Sequence, residues 1–244
     1  MEVHHHTHTE RKKWTHYFWE FLMLFLAVFC GFLAENFREH QVEHKREKQY
    51  MASMLEDLKA DTATYSNYAK TNAEIYTFID SLIPLIKSNE RKIHVNRIYF
   101  LARMITIKLL LHFPTIRTYD QMKNSGQLRI IRNTGVADSI GSYYNSLAVL
   151  AAFNDLILAK NYDYQRAVAK IFDADVLLTI LKERKEPSST SIKLLTEDPL
   201  IINELLTNAQ YLYGSLLIGQ NICTQRQHTA ENLITLITDK YHLK

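Results

Sequence analysis

Hydrophobic residues fill the stretch from Tyr17 to Phe37, broken only by Glu20, Glu35 and Asn36. As a helix rising about 1.5 Å per residue, that stretch spans about 31 Å, close to the hydrocarbon thickness of a bilayer. Trp14, Tyr17 and Trp19 supply aromatic anchors on its N-terminal side, and Arg11, Lys12 and Lys13 stand just outside them. Gly31-Phe32-Leu33-Ala34 makes a poor signal-peptidase site, because bulky residues separate the small ones. The pattern predicts an uncleaved transmembrane helix over residues 17–37, preceded by a histidine-rich basic tail over 1–16. Arg38, Lys45, Arg46 and Lys48 follow the span about as densely as the basic triplet precedes it, so charge does not set the orientation. A short tail before a first span ordinarily stays in the cytoplasm. The expected placement is a bacterial inner membrane, N-terminus inside and the larger part periplasmic.

Plotted at 100° per residue, the span has two faces. Glu20, Leu24, Ala27, Gly31 and Ala34 share one stripe, with Glu35 at its edge, and large apolar side chains cover the other side. Ala27 and Gly31 form a small-xxx-small pair, which lets helix backbones approach closely. A carboxylate one turn inside a bilayer is costly unless paired, wetted or protonated. Glu20 on the small face therefore fits helix association around an axis; at the headgroup level it is simply solvated.

Beyond the span, residues 38–50 read as a charged juxtamembrane helix, with both signs interleaved in "REHQVEHKREK". A seam at four-three spacing then runs through Met51, Leu55, Leu58, Thr62, Tyr65, Ala69, Asn72, Tyr76, Ile79, Ile83 and Ile86. It suits either a second subunit, as a coiled coil, or the other helices of its own domain. Pro84 predicts a kink or a helix end. A second helix is expected over Asn96–His112, stopped by Phe113-Pro114. Thr118-Tyr-Asp-Gln121 reads as a capping box opening a short helix that Asn124-Ser-Gly126 closes. From Asn133 or Thr134 the pattern predicts one long unbroken helix reaching Lys182. A Ser/Thr-rich charged linker follows, and Asp198-Pro199 opens a last helix. No alternating strand pattern appears. The expected fold is all-α: one N-terminal transmembrane helix continuing into an antiparallel bundle of about four long helices over residues 51–244.

Composition agrees with that reading. The chain of 244 residues holds six glycines and four prolines, which disfavours turn-rich β architecture. The net charge is only +3 and basic residues alternate with acidic ones, so no nucleic-acid footprint is present. Cys30 and Cys223 lie far apart and define no disulfide framework.

Candidate chemistry is sparse. His4, His5, His6 and His8 are residue types that bind zinc, copper or nickel, but a specific site needs fixed geometry and further partners. The rival reading is a tail that packs on the membrane surface or against other subunits. His40-Gln-Val-Glu-His44 matches the inverted zincin pattern, with His40 and His44 on one helical face and Glu43 beside them. A zinc peptidase also needs a ligand from another element and a cleft, and this motif lies in a charged juxtamembrane stretch. A metal bridging His40 and His44 between subunits is an intermediate reading. His16, His94, His112, His228 and His242 are scattered, and the tyrosines, Tyr143 and Tyr144 among them, read as core and interface residues. No Walker loop, dinucleotide fingerprint or nucleophile elbow occurs.

The opening "MEVHHHTHTERKKWTHYFWEFLMLFLAVFCGFLAENFREH", then "REKQYMASMLEDLKADT" and "TYDQMKNSGQLRIIRN", resembles an uncharacterised family of single-pass membrane proteins common in Bacteroidota. The resemblance implies a membrane location and a native histidine-rich start. It transfers no catalytic residue and no cofactor, and it draws attention to His4, His5, His6, His8, Glu20, Glu35 and the segment Thr118–Asn133. The expected function is non-enzymatic: a membrane-anchored scaffold, accessory subunit or sensor, homo-oligomeric or part of a larger membrane complex. No output module for a sensor is recognisable, which favours the scaffold. The alternatives are a cation- or proton-conducting or metal-handling oligomer using Glu20 and the N-terminal histidines, and a zinc metallopeptidase using His40, Glu43 and His44.

Overall fold

The structure is a computed structural model and describes residues 14–243. His4, His5, His6 and His8 lie outside the described residues. The chain divides after Gln49 into two compact units. Among the described residues there are seven α-helices, one 3₁₀ turn and no strand. The fold is all-α.

Residues 14–49 belong to helix α1, Trp14–Lys87. The apolar stretch is uncovered: Phe21, Leu24 and Phe32 expose 65%, 69% and 67% of their surface. By length and composition it is long and apolar enough to cross a membrane. Phe21, Phe25 and Phe29 stack in sequence along one face, with ring centroids 6.3 and 5.8 Å apart.

From Tyr50 onward, α1 lines a helical body with α2 (Val95–Lys108), α3 (Arg117–Asn124), α4 (Thr134–Asn145), α5 (Leu147–Ile171), α6 (Ala174–Glu183) and α7 (Pro199–Tyr241). Lys170 on α5 pairs with Glu204 on α7, and Ile157 lies beside Gly219, so these two helices run antiparallel. Their contact is close because residue 219 has no side chain. A Cβ there would come within 2.9 Å of the Tyr68 hydroxyl and 3.1 Å of Ile157 Cδ1.

The core has three parts. Ile75, Ile79, Leu82 and Ile86 of α1 pack with α2, α5, α6 and α7. Met51, Met54, Leu55 and Leu58 pack with α3, α4 and the C-terminal half of α7. Tyr65, Tyr68, Leu150 and Cys223 form a smaller cluster. Each fully buried leucine or isoleucine stabilises by about 1.5–3 kcal/mol relative to exposure. The heptad seam is therefore spent inside the chain's own body.

Four of the eleven seam positions are displaced by one residue. Leu58, Tyr65, Asn72, Ile79 and Ile86 are buried as expected, but the alternate buried positions are Asp61, Tyr68, Ile75 and Leu82. Reading Thr62 in place of Asp61 set the error, because an aspartate does not look like a core residue. Pro84 falls in the last turn of α1, where a missing N–H removes a bond close to the helix end.

Three helix boundaries also depart from the sequence reading. Helix α2 stops at Lys108, not His112. Residues 109–116 lack helix, and the Asn154 side chain takes over the backbone bonding there: its amide donates to the His112 carbonyl at 2.7 Å and its oxygen accepts the His112 N–H at 3.4 Å.

The predicted helix from Thr134 to Lys182 is three helices. At Ser146 the break is sustained by Arg226 of α7, which donates to the carbonyls of Tyr143 and Ser146 at 3.3 and 3.0 Å. At Phe172 the backbone is extended, and Asp173 caps α6 by accepting the N–H groups of Asp175 and Val176. The orphan Ile171 carbonyl accepts the Leu195 N–H at 2.9 Å. Helix-end groups that look unsatisfiable locally thus find partners far along the chain. The last helix starts where expected, with the Asp198 carboxylate accepting the Leu200 N–H at 2.8 Å.

Candidate functional site

Asp57 and Asp61 sit one turn apart on α1 and are 2% and 1% exposed. They face the segment that leads into α3. Asp61 accepts the Thr115 N–H at 2.6 Å. Asp57 accepts the Thr118 N–H at 2.9 Å and Arg117 Nη2 at 2.7 Å. The start of α3 is thus capped from α1. No side chain of its own caps α3, whose N-cap is Ile116, so the capping box read from Thr118 and Gln121 does not form.

Asp61 has a second partner. Its other oxygen accepts the Tyr143 hydroxyl at 2.7 Å, and the Tyr143 and Tyr65 hydroxyls lie 3.2 Å apart. The Tyr65 ring packs on the His112 ring at 4.1 Å between centroids. Tyr119 of α3 stacks on Tyr144 of α4, with ring centroids 4.2 Å apart and ring planes nearly parallel. One face of α1 therefore gathers α3, α4 and the 109–116 segment through carboxylates and aromatic rings.

Burial sets the electrostatics. It holds the Asp61 carboxyl above the ordinary carboxylate range, against the lowering effect of the Thr115 and Tyr143 hydrogen bonds. It also pushes the Tyr65 hydroxyl up to about 12 and the Tyr143 hydroxyl further still. The His112 imidazole is lowered to about 4 by burial, and neither ring nitrogen has a hydrogen-bond partner. At neutral pH the cluster holds neutral phenols and a neutral imidazole. Asp61 keeps its two oxygens occupied by donors. Such an arrangement is a clasp: the Asp57 and Asp61 hydrogen bonds fix the backbone at Thr118 and Thr115.

The segment 118–133 takes part in this clasp. Thr118 supplies the capped N–H, and Met122 is buried against the Met51 cluster. Gly126 closes α3 with φ of 68°, a left-handed conformation that costs glycine least. Asn133 caps α4 by accepting the Val136 N–H at 3.0 Å.

The other residues singled out by sequence lie in the first unit. His40 Nδ1 is 3.9 Å from Glu43 and His44 Nδ1 is 3.6 Å from Glu47, all on consecutive turns of α1. Among the described residues, no three His, Cys, Asp or Glu side chains gather so as to hold a metal ion. Glu20 lies 3.2 Å from His16 Nε2, one turn before it. Glu35 accepts from Arg38 Nε at 2.9 Å. A side chain added at Gly31 would meet nothing within 4 Å, so that face of the apolar stretch is open.

Sequence reading missed Asp57, Asp61 and Asn154, and placed His112 only among scattered histidines. The available signal was a pair of aspartates at i,i+4 spacing within an otherwise apolar stripe. Comparison of the chain with family models, with curated proteins and with solved structures gives no match.

Proposed function

We propose that the chain is a non-enzymatic, membrane-anchored helical-bundle protein that serves as a scaffold or accessory subunit of a larger membrane assembly. Residues 17–37 are the anchor, in a bacterial inner membrane. The N-terminus is cytoplasmic and the helical body from Tyr50 is periplasmic. The observation that carries this reading is the exposure of the span. The core helix of a water-soluble protein covers its apolar face, whereas Phe21, Leu24, Val28 and Phe32 are each more than 60% exposed. An uncovered apolar surface of that size marks contact with lipid or another protein. The open small face at Ala27, Gly31 and Ala34 fits association of spans within the bilayer. The clasp supports a recognition or scaffold role, because the Asp57 and Asp61 carboxylates are engaged in holding structure.

Size determination of the full chain in mild detergent, with metal analysis by mass spectrometry, tests this reading. We expect a species containing two or more 28.6-kDa chains. A single-chain particle would remove self-assembly. Stoichiometric zinc retained through a chelating wash would contradict the assignment and revive the metal-handling one.

A further inference from the structure

A second feature of the helical body has no part in the clasp. The turn between α1 and α2 and the strap over residues 184–198 line a cleft of about 440 Å³. That volume suits a small molecule. The strap is non-helical, as the sequence predicts for a linker, but it is pinned. Asn96 donates to the Ser189 carbonyl at 3.0 Å, and the Tyr99 hydroxyl donates to the Lys193 carbonyl at 2.8 Å while accepting the Asp173 N–H at 2.9 Å. The walls of the cleft are therefore fixed by side chains of α2.

Its lining has two characters. Val95, Ile192 and Leu194 are apolar and also pack against the core, and Arg91, Lys92 and Lys193 contribute three cations. A single carboxylate, Glu197, answers them, at 2.9 Å from Arg91 Nη2 and 3.3 Å from Lys92 Nζ. These pairs lower the Glu197 carboxyl below its ordinary range. The lining keeps an excess of positive charge, and Glu197 pairs with two of the three cations.

We propose that this cleft binds a small, water-soluble carboxylate with a short apolar body. The ligand carboxylate lies among Arg91, Lys92 and Lys193, the apolar body lies on Val95, Ile192 and Leu194, and Glu197 competes for the same cations. A fork of guanidinium donors beside ammonium groups suits a carboxylate. The apolar lining favours a chain of a few methylenes over a bare anion. The inference does not depend on membrane anchoring, and it gives a scaffold a means of responding to a solute.

Calorimetric titration of the full chain in nanodiscs of uncharged lipid, against empty nanodiscs, tests it, with hexanoate and acetate as probes. Hexanoate is expected to saturate, and to bind about tenfold or more tighter than acetate, given the gain per buried methylene. Lys193→Gln is expected to weaken hexanoate about fivefold, since it removes one charge-assisted contact. Glu197→Gln is expected to tighten it severalfold. The last result has a sign that a merely structural Glu197 would not produce. Hexanoate that fails to saturate, equal binding of the two probes, indifference to Lys193→Gln, or weakening by Glu197→Gln each overturns the inference. Lys193 is an exposed side chain, and unchanged helicity of its variant excludes unfolding as the cause.

Discussion

Arginine at both Phe25 and Phe29 is expected to move the chain out of the membrane fraction. The two phenylalanines stack one turn apart on an uncovered face of α1, near the middle of residues 17–37. An arginine at the centre of a spanning helix costs about 2.5–3.5 kcal/mol on insertion scales, and each lost phenylalanine removes about 0.3 kcal/mol of favourable transfer. Together the two changes oppose insertion by about 6 kcal/mol, enough to reverse the partition of a single span. The measurement is the share of protein that stays with membranes after alkaline carbonate extraction. Wild type is expected to stay and the double variant to be released. Circular dichroism of the released variant is expected to keep its helical signal, because the three core clusters are built from residues 51–241. A double variant that sediments with wild type would mean that lipid does not surround this face.

The second large effect concerns the clasp. Asp57→Ala removes the acceptor for the Thr118 N–H and Arg117, and Asp61→Ala removes that for the Thr115 N–H and the Tyr143 hydroxyl. A hydrogen bond to a charged group contributes about 1.5–3 kcal/mol, and a buried donor left unpaired costs a further desolvation penalty. Removing two buried carboxylates also relieves the cost of burying them, so the double alanine variant is expected to lose about 4 kcal/mol net. For a body whose whole stability is about 5–15 kcal/mol, that is a large share. Denaturant unfolding of the purified chain reads the loss, and faster hydrogen exchange at residues 115–124 locates it.

Asp61→Asn separates charge from shape, since its oxygen still accepts the Thr115 N–H. The pH dependence then follows from the raised Asp61 carboxyl. The folded protein holds this proton more tightly than the unfolded chain does, so ionisation of Asp61 lowers stability as pH rises. The burial cost is fully present above the raised folded value and gone below the ordinary carboxylate value. Wild type should gain stability relative to Asp61→Asn as pH falls through that window. A flat difference between the two would show that Asp61 is not the group being titrated.

The sequence made some features legible for a physical reason. The apolar span, the Asp198-Pro199 start of α7, the Asn133 start of α4 and the Gly126 stop of α3 are all written in neighbouring residues. Local chemistry fixes each of them, so local reading finds them. The clasp is different. Asp61 meets residues 54 and 82 positions away, at Thr115 and Tyr143. Nothing near Asp61 in the chain announces those donors. The breaks at Ser146 and Phe172 escaped for the same reason, because their orphan carbonyls are satisfied by Arg226 and by the Leu195 N–H. A stretch without proline, and without glycine after Gly141, reads as one helix until distant partners are known. The partly shifted seam on α1 follows from the same blindness, since a core aspartate makes sense only once its donors are in view.

Labelling of Cys30 is the most direct test of whether residues 17–37 lie in lipid. The chain has two cysteines: Cys30 is exposed on the apolar stretch, and Cys223 is buried with its thiol pushed up to about 11. In a Cys223→Ala variant, Cys30 is the single thiol, and no part of the folded body from Tyr50 onward is needed to explain its reactivity. If lipid surrounds it, a membrane-impermeant maleimide leaves it unmodified in intact membranes and reacts only after the bilayer is dissolved in denaturing detergent. Reaction in intact membranes at the rate of a water-exposed thiol would place the span in water and remove the anchor.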